Sequence, residues 1–305
     1  MSIWPGSFSD MFCANDPFVK FLQARKGARV YLKPYVGNSG DSLIWMGNEM
    51  LLNELGVTRV LDPRKADIIL WPGGNPTMWQ SNLDSWLESW RMFPATEFVV
   101  APATFQGEAL DWRTLLKTTN ARIGAIFARD TESYRNLQRL ELPHKIIIGL
   151  GHDPAFHLKD SEWVAKHREA ATSEYILASF RRDHESALKR SSMENYSKTW
   201  LVSSIFSRYQ HLRYSKFHLF RLRKIRQICG AKSAVIERDA PLMSFEVFVE
   251  TVRRASQVHT DRLHCMIMAL LLGKEVFAYP TAYAKLEGVY EHSIKSWAIV
   301  HFVRT

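Results

Sequence analysis

A set of short apolar runs places the strongest limit on how this chain can fold. They are residues 66–71 (ADIILW), 97–101 (EFVVA), 122–127 (RIGAIF), 145–150 (KIIIGL) and 175–180 (YILASF). Each leads into a loop carrying Gly, Pro, Asp or Arg, and helical patterns lie between them. A strand with no polar face must be covered on both sides, and alternation with helices places it in a parallel sheet. Residues 28–36 (ARVYLKPYV) open the series, with Pro34 marking either an edge strand or a strand end. Residues 57–61, 233–236, 256–259 and 275–279 extend it, while the polar stretch 159–173 interrupts it. For 305 residues the expected architecture is α/β. Two Rossmann-like domains, 1–165 and 166–305, would enclose a central cleft. Ligands in such sheets sit beyond the carboxyl ends of the strands, where these loops fall.

Charge narrows the partners. The chain carries 40 Lys and Arg against 31 Asp and Glu, a formal charge of +9. That balance favours anions: phosphorylated metabolites, anionic lipid or nucleic acid. Cys13, Cys229 and Cys265 are odd in number and far apart, so neither a disulfide framework nor a zinc site is expected. The stretch MSIWPGSFSDMF lacks the basic flank and apolar core of a signal peptide. No run approaches the roughly 20 apolar residues of a membrane span. The expectation is a cytoplasmic protein without a metal.

Chemistry concentrates at residues 256–273 (SQVHTDRLHCMIMALLLG). A short strand, 256–259, leads through Thr260-Asp261-Arg262-Leu263-His264 into an apolar helix that Gly273 ends as a left-handed cap. Thr260 and Asp261 are good N-cap residues, so the helix is expected to begin there. Arg262 and His264 then stand at a helix N-terminus whose N–H groups favour an anion. His264 suits a general acid, loaded with a proton once a dianion is bound. A helix-end histidine satisfied by its neighbours is the plainer alternative. Cys265 is expected to pack in the core.

Other strand ends supply partners. Gly37-Asn38-Ser39-Gly40-Asp41 either lets backbone N–H groups approach a ligand or caps the next helix. It fits neither the Walker loop nor the dinucleotide fingerprint. Gly73 and Gly74 form a similar turn. Arg129 either faces the cleft or pairs with Asp130 or Glu132, and Asp153-Pro154 shapes a turn. Arg181 and Arg182 stand together at a strand end, where guanidinium forks match phosphate or carboxylate. Residues 197–232 interleave Lys and Arg with aromatics and hold no acid. They read first as a helical excursion packed on the domain, second as an interfacial helix on an anionic membrane leaflet, and last as a nucleic-acid groove.

In their order along the chain, these pieces resemble the polysaccharide pyruvyl transferase family. The matching residues are Gly37 to Asp41, Gly73-Gly74, Arg129-Asp130-Thr131-Glu132-Ser133, Asp153-Pro154, and above all Thr260 to His264 before its apolar helix. Lys285-Leu286-Glu287-Gly288 is similar to the family's Lys-containing helix. The resemblance covers nearly the whole chain. It implies a GT-B-like fold and transfer of the pyruvyl group of phosphoenolpyruvate onto two hydroxyls of one sugar. The product would be a cyclic ketal in exopolysaccharide or cell-surface glycan synthesis. By resemblance His264 and Arg262 are catalytic. Gly37, Asn38, Gly40, Asp41, Gly73, Gly74, Arg129, Leu263, Lys285 and one of Arg181 and Arg182 bind substrate. No cofactor is implied beyond phosphoenolpyruvate as donor, and the acceptor is a glycan, lipid-linked, nucleotide-linked or polymeric. Asp261, where the family commonly has serine, and Asn75, where it has a further glycine, depart from the pattern. The rivals are a nucleotide-sugar glycosyltransferase of the same fold and a non-catalytic binder of lipid or nucleic acid. The first expects an acidic pair in the second domain at a spacing this chain lacks.

Overall fold

Among the described residues every strand pairing is parallel, and the strands divide into two sheets. The computed structural model describes residues 15–34, 37–77, 80–106, 112–143, 145–181, 219, 222–228, 230, 234–281 and 284–303. The first sheet comprises β1 (Arg29–Leu32), β2 (Thr58–Arg59), β3 (Ile68–Trp71), β4 (Glu97–Ala103), β5 (Ile123–Ala128) and β6 (Ile147–Leu150). Its order is β2-β1-β3-β4-β5-β6. The second comprises β7 (Tyr175–Ser179), β8 (Val235–Glu237), β9 (Ala255–Thr260), β10 (Glu275–Ala278) and β11 (Val300–Phe302), in the order β11-β10-β9-β7-β8. This is the α/β architecture expected from the apolar runs. In β3 all four residues are buried, as a strand covered on both faces requires.

Helices α1 (Pro17–Gln23), α2 (Ser39–Glu54), α3 (Gln80–Met92), α4 (Trp112–Thr118), α5 (Thr131–Gln138) and α6 (Glu162–Glu169) accompany the first six strands. Helices α7 (Phe245–Arg253), α8 (Leu263–Leu271) and α9 (Lys285–Val289) accompany the second sheet. Sequence reasoning passed over α1, α4 and β11, which are too short to show a period. The polar stretch 159–173, expected to interrupt the strand–helix pattern, holds α6. Pro34 follows the end of β1, which lies inside its sheet, so it marks a strand end rather than an edge.

Strand order decides where a ligand can bind. Each sheet reverses its order once, between β1 and β3 in the first and between β7 and β9 in the second. Connections on the two sides of such a point leave toward opposite faces, so the loops part and open a crevice. The turns after β1 and β3 hold Gly37 to Asp41 and Gly73-Gly74. The turns after β7 and β9 hold Arg181 and Arg262 to His264.

Helix α8 fixes the second crevice. Its residues from Cys265 to Leu271 are fully buried, each larger side chain contributing on the order of 2 kcal/mol. Gly273 follows with φ 70°; its N–H donates to Leu270 O and that of Lys274 to Ala269 O, which closes the helix as expected. Leu43 of α2 and Phe156 of the turn Pro154–Leu158 share this apolar cluster, so elements of the first sheet pack directly on α8. Gly47 makes the approach possible: a Cβ there would lie 2.0 Å from the Pro154 carbonyl oxygen.

Of residues 197–232, only 219, 222–228 and 230 fall among those described. Residues 222–228 are helical; Leu222 and Ile225 pack beside Ile176 of β7 and Tyr279, the residue after β10, while Arg223 and Arg226 are exposed. No helix among the described residues is long and apolar enough to cross a membrane.

Candidate active site

Both crevices open into one cleft of about 350 Å³. Its first wall carries Gly37, Asn38 and Asp41 from the turn after β1, Gly74 and Asn75 from the turn after β3, and Ser81 and Asn82 from α3. Its second wall carries Arg181, Pro241, Arg262, Leu263, His264 and Lys285. Arg129, at the end of β5, lines it too. One side is thus rich in cations, and the other carries amides, the Ser81 hydroxyl and the Asp41 carboxylate.

The local sequence explains each placement. Asn38 caps α2: its side chain accepts from Gly40 N at 2.8 Å, and Asp41 Oδ2 accepts from Asn38 N at 2.8 Å. The reciprocal box holds the turn rigid with Gly37 and Asp41 at the cleft. Gly40 and Gly73 are not at the surface of the cleft but behind it. A Cβ on Gly40 would lie 2.5 Å from His264 Nδ1, so only glycine lets the imidazole sit there. Gly73 has φ 116° and backs onto the Pro102 carbonyl.

Arg129 is 1 % exposed. Its Nη1 donates to Asp153 Oδ2 at 2.7 Å and its Nε to Thr104 Oγ1 at 3.0 Å. The sequence alternatives for its partner, Asp130 and Glu132, give way to Asp153. Asp130 instead caps α5, accepting from Ser133 N and Oγ, and also from Thr104 and Gln106. Asp153 caps the turn Pro154–Leu158 through Ala155 N, and its Oδ2 lies 3.5 Å from His264 Nε2. Burial would push the Asp153 carboxyl up, but the Arg129 charge and the His264 and Ala155 hydrogen bonds outweigh it. They hold it well below the usual carboxylate range. His264 Nε2 is also 3.4 Å from Arg129 Nη1.

The start of α8 differs from expectation. Arg262, not Thr260 or Asp261, is the N-cap, and it makes no side-chain bond to the first turn. Thr260 still belongs to β9; its hydroxyl donates to Ser179 O and accepts from Arg262 N. Asp261 is fully buried, and its Oδ1 accepts from Arg181 N at 2.7 Å. The strand-end pairing of β7 with β9 puts that N–H in reach, so the carboxylate ties the strands together instead of capping the helix. Arg262 pairs with Asp239 through Nε and Nη2, the former at 2.7 Å. Lys285 opens α9, which approaches α5 closely because Gly288 leaves room for Asp130; a Cβ there would be 2.9 Å from that of Asp130.

Of the site residues named from sequence, Gly37, Asn38, Asp41, Gly74, Arg129, Arg181, Arg262, Leu263, His264 and Lys285 meet at the cleft. Arg182 lies outside the described residues. Sequence reasoning missed Asp239, Thr104, Ser81 and Asn82. Asp239 had one usable signal, an acid at a strand end two residues before a proline, much like Asp153-Pro154. Cys265 is buried, and desolvation pushes its thiol up to about 12, so it stays protonated. Among the described residues no group of His, Cys, Asp and Glu is arranged to hold a metal ion.

The polysaccharide pyruvyl transferase family model matches residues 38–283. No curated protein matches the sequence. Among solved structures, an uncharacterized protein from Klebsiella pneumoniae is 19% identical, with TM-score 0.61 over 94% of this chain and 96% of its own. That likeness shows a shared fold. The UDP-GlcNAc 2-epimerase of Methanocaldococcus jannaschii, solved with UDP-GlcNAc and UDP, is 14% identical, with TM-score 0.39 over 90% of this chain and 88% of its own.

Proposed function

The chain belongs to the polysaccharide pyruvyl transferase family, and on that premise we propose that its cleft transfers the pyruvyl group of phosphoenolpyruvate to two hydroxyls of a glycan. The observation that supports this reading is the gathering of Arg129, Arg181, Arg262 and Lys285 around His264 in one cleft. Phosphoenolpyruvate carries a phosphate and a carboxylate, and guanidinium groups suit both.

In this reading His264 protonates C3 of the enol ether. C3 becomes a methyl group and C2 an oxocarbenium centre, whose charge the bound carboxylate and phosphate offset. One sugar hydroxyl adds to C2 and returns its proton to His264. The C2–O bond to phosphate then breaks, phosphate leaving with the proton from His264, and the second hydroxyl closes the ketal and gives its proton back to His264. Arg262 and Arg181 hold the anionic groups, Leu263 offers its backbone N–H at the start of α8, and Asn38 and Asp41 stand on the acceptor side. No cofactor takes part in these steps. The acceptor is a surface glycan or its precursor, and a lipid-linked one would bring residues 197–232 near an anionic leaflet from the cytoplasmic side. Cosedimentation with anionic liposomes, weakened by salt, is the expected sign of that contact; indifference to lipid charge removes it.

His264→Ala is expected to abolish phosphate release from phosphoenolpyruvate plus acceptor while the melting temperature stays within a few degrees. An unimpaired variant would sink the assignment. Phosphoenolpyruvate should raise the melting temperature of the wild type. A rise with a nucleoside diphosphate and none with phosphoenolpyruvate would favour a glycosyltransferase.

A further inference from the structure

Arg262 does not reach the cleft as a loose side chain. Its side chain is 5% exposed, and the guanidinium meets Asp239, whose side chain is 12% exposed, in a two-point pairing: Nε donates to Oδ1 and Nη2 to Oδ2. Asp239 is 23 residues earlier in sequence, in the loop after β8. That loop is fixed on both sides. Ala240 N donates to Ser179 Oγ at 3.2 Å, and Met243 O accepts from Ser39 Oγ at 2.5 Å. Ser39 is the first residue of α2, so the loop also bridges to the first sheet's half of the site. Pro241 of the same loop lines the cleft and Asp239 is not among its lining residues, which places the carboxylate behind Arg262.

We propose that Asp239 is a positioning residue for anion binding, holding the Arg262 guanidinium in one plane so that the edge turned from Asp239 meets the donor. The proposal rests on the reading of the cleft as a phosphoenolpyruvate site. An arginine held by a planar two-point contact has little side-chain freedom left to lose when a ligand arrives. The carboxylate also acts in the opposite sense, because its negative charge repels the same ligand. Charge and position are separable. Asp239→Asn removes the charge and one acceptor, whereas Asp239→Glu keeps the charge and displaces it by a methylene.

The test is a double-mutant cycle on phosphoenolpyruvate affinity, measured by calorimetry, with thermal melting as the control for folding. Positioning predicts that Asp239→Asn and Asp239→Glu each weaken binding about tenfold. In an Arg262→Ala background, Asp239→Asn is expected to change affinity less than about twofold. The kinetic counterpart is a raised KM for phosphoenolpyruvate that Asp239→Glu does not restore. An equal effect of Asp239→Asn in both backgrounds overturns the proposal. So does tighter binding by Asp239→Asn together with wild-type behaviour of Asp239→Glu. If Asp239→Asn fails to fold, Asp239→Glu with and without Arg262→Ala completes the same cycle. If the wild type binds inorganic phosphate but not phosphoenolpyruvate, the donor reading falls, and the cycle run with phosphate still decides the role of Asp239. Binding of neither overturns both.

Discussion

Asp153 gives one oxygen to Arg129, and the same oxygen lies 3.5 Å from His264 Nε2. Arg129 and Asp153 come from the first sheet's strand ends and His264 from the second, so a buried carboxylate links the two walls of the cleft. Asp261 does comparable work within the second wall, accepting from Arg181 N. A serine there would have a shorter reach. The carboxylate's second carbon brings Oδ1 to the strand-end N–H, which gives a physical reason for the departure at this position. Asp261→Ala leaves that buried N–H without its acceptor and is expected to cost about 1–3 kcal/mol of stability. Asp261→Asn keeps an oxygen in place and should cost less. Urea unfolding of the two variants checks the order; equal losses would mean that the hydrogen bond to Arg181 contributes little.

At the scale of elements, α2 decides how closely the halves approach. Its first turn touches His264 through Gly40, and its middle touches the Pro154 carbonyl through Gly47. Glycine inside a helix ordinarily costs up to about 1 kcal/mol relative to alanine, so Gly→Ala at an open helix position stabilises. Gly47→Ala should do the reverse. The new methyl meets a backbone carbonyl rather than a side chain that can swing away, and overpacking of this kind costs about 1–3 kcal/mol. A lowered melting temperature is the expected result, and a raised one would show that α2 has room to shift. The α2 cap and the glycine end of α8 were legible in the sequence because each is local. Asn38 bonds within three residues, and Gly273 adopts φ 70°. The start of α8 was not legible, because Asp261 could cap the helix or bind β7, and only strand pairing settles which.

The molecule as a whole carries buried and half-buried histidines that set its response to acid. His152 stacks on His292 with ring centroids 4.6 Å apart, and Nδ1 of His152 lies 2.9 Å from Ser293 Oγ. Burial lowers His152 to about 3, helped by His292 and His157, and burial lowers His157 to about 4 despite Asp153. Burial also lowers His292. Unfolded, these groups take protons near the ordinary 6.5. Their contribution to stability is present above that pH and is lost as pH falls toward the folded values. Asp16 works the other way: burial raises it to about 6 against three backbone hydrogen bonds, so between the ordinary 3.8 and 6 the folded form holds the extra proton. Among the described residues four histidines lowered by burial, His259 to about 3 among them, outweigh the two carboxyls that burial raises, Asp16 and Glu54. Stability is therefore expected to fall from pH 7 to pH 4.5, read as a falling midpoint in urea, and a flat profile would mean that the histidines are protonated in the fold. The sequence by itself determined the alternation of apolar strands with helices, the parallel class, and the strand-end loops where chemistry can occur. Those follow from burial and local backbone preference, which act over a few residues. Strand order, and with it the meeting of two crevices in one cleft, came only from the tertiary structure. So did the pairings of Arg262 with Asp239, Arg129 with Asp153 and Arg181 N with Asp261, separated by 23, 24 and 80 residues. A hydrogen bond needs its partners within about 3 Å, whereas sequence pattern locates a residue only to a strand end or a helix turn. Many acid–base pairings satisfy the pattern, and packing selects one.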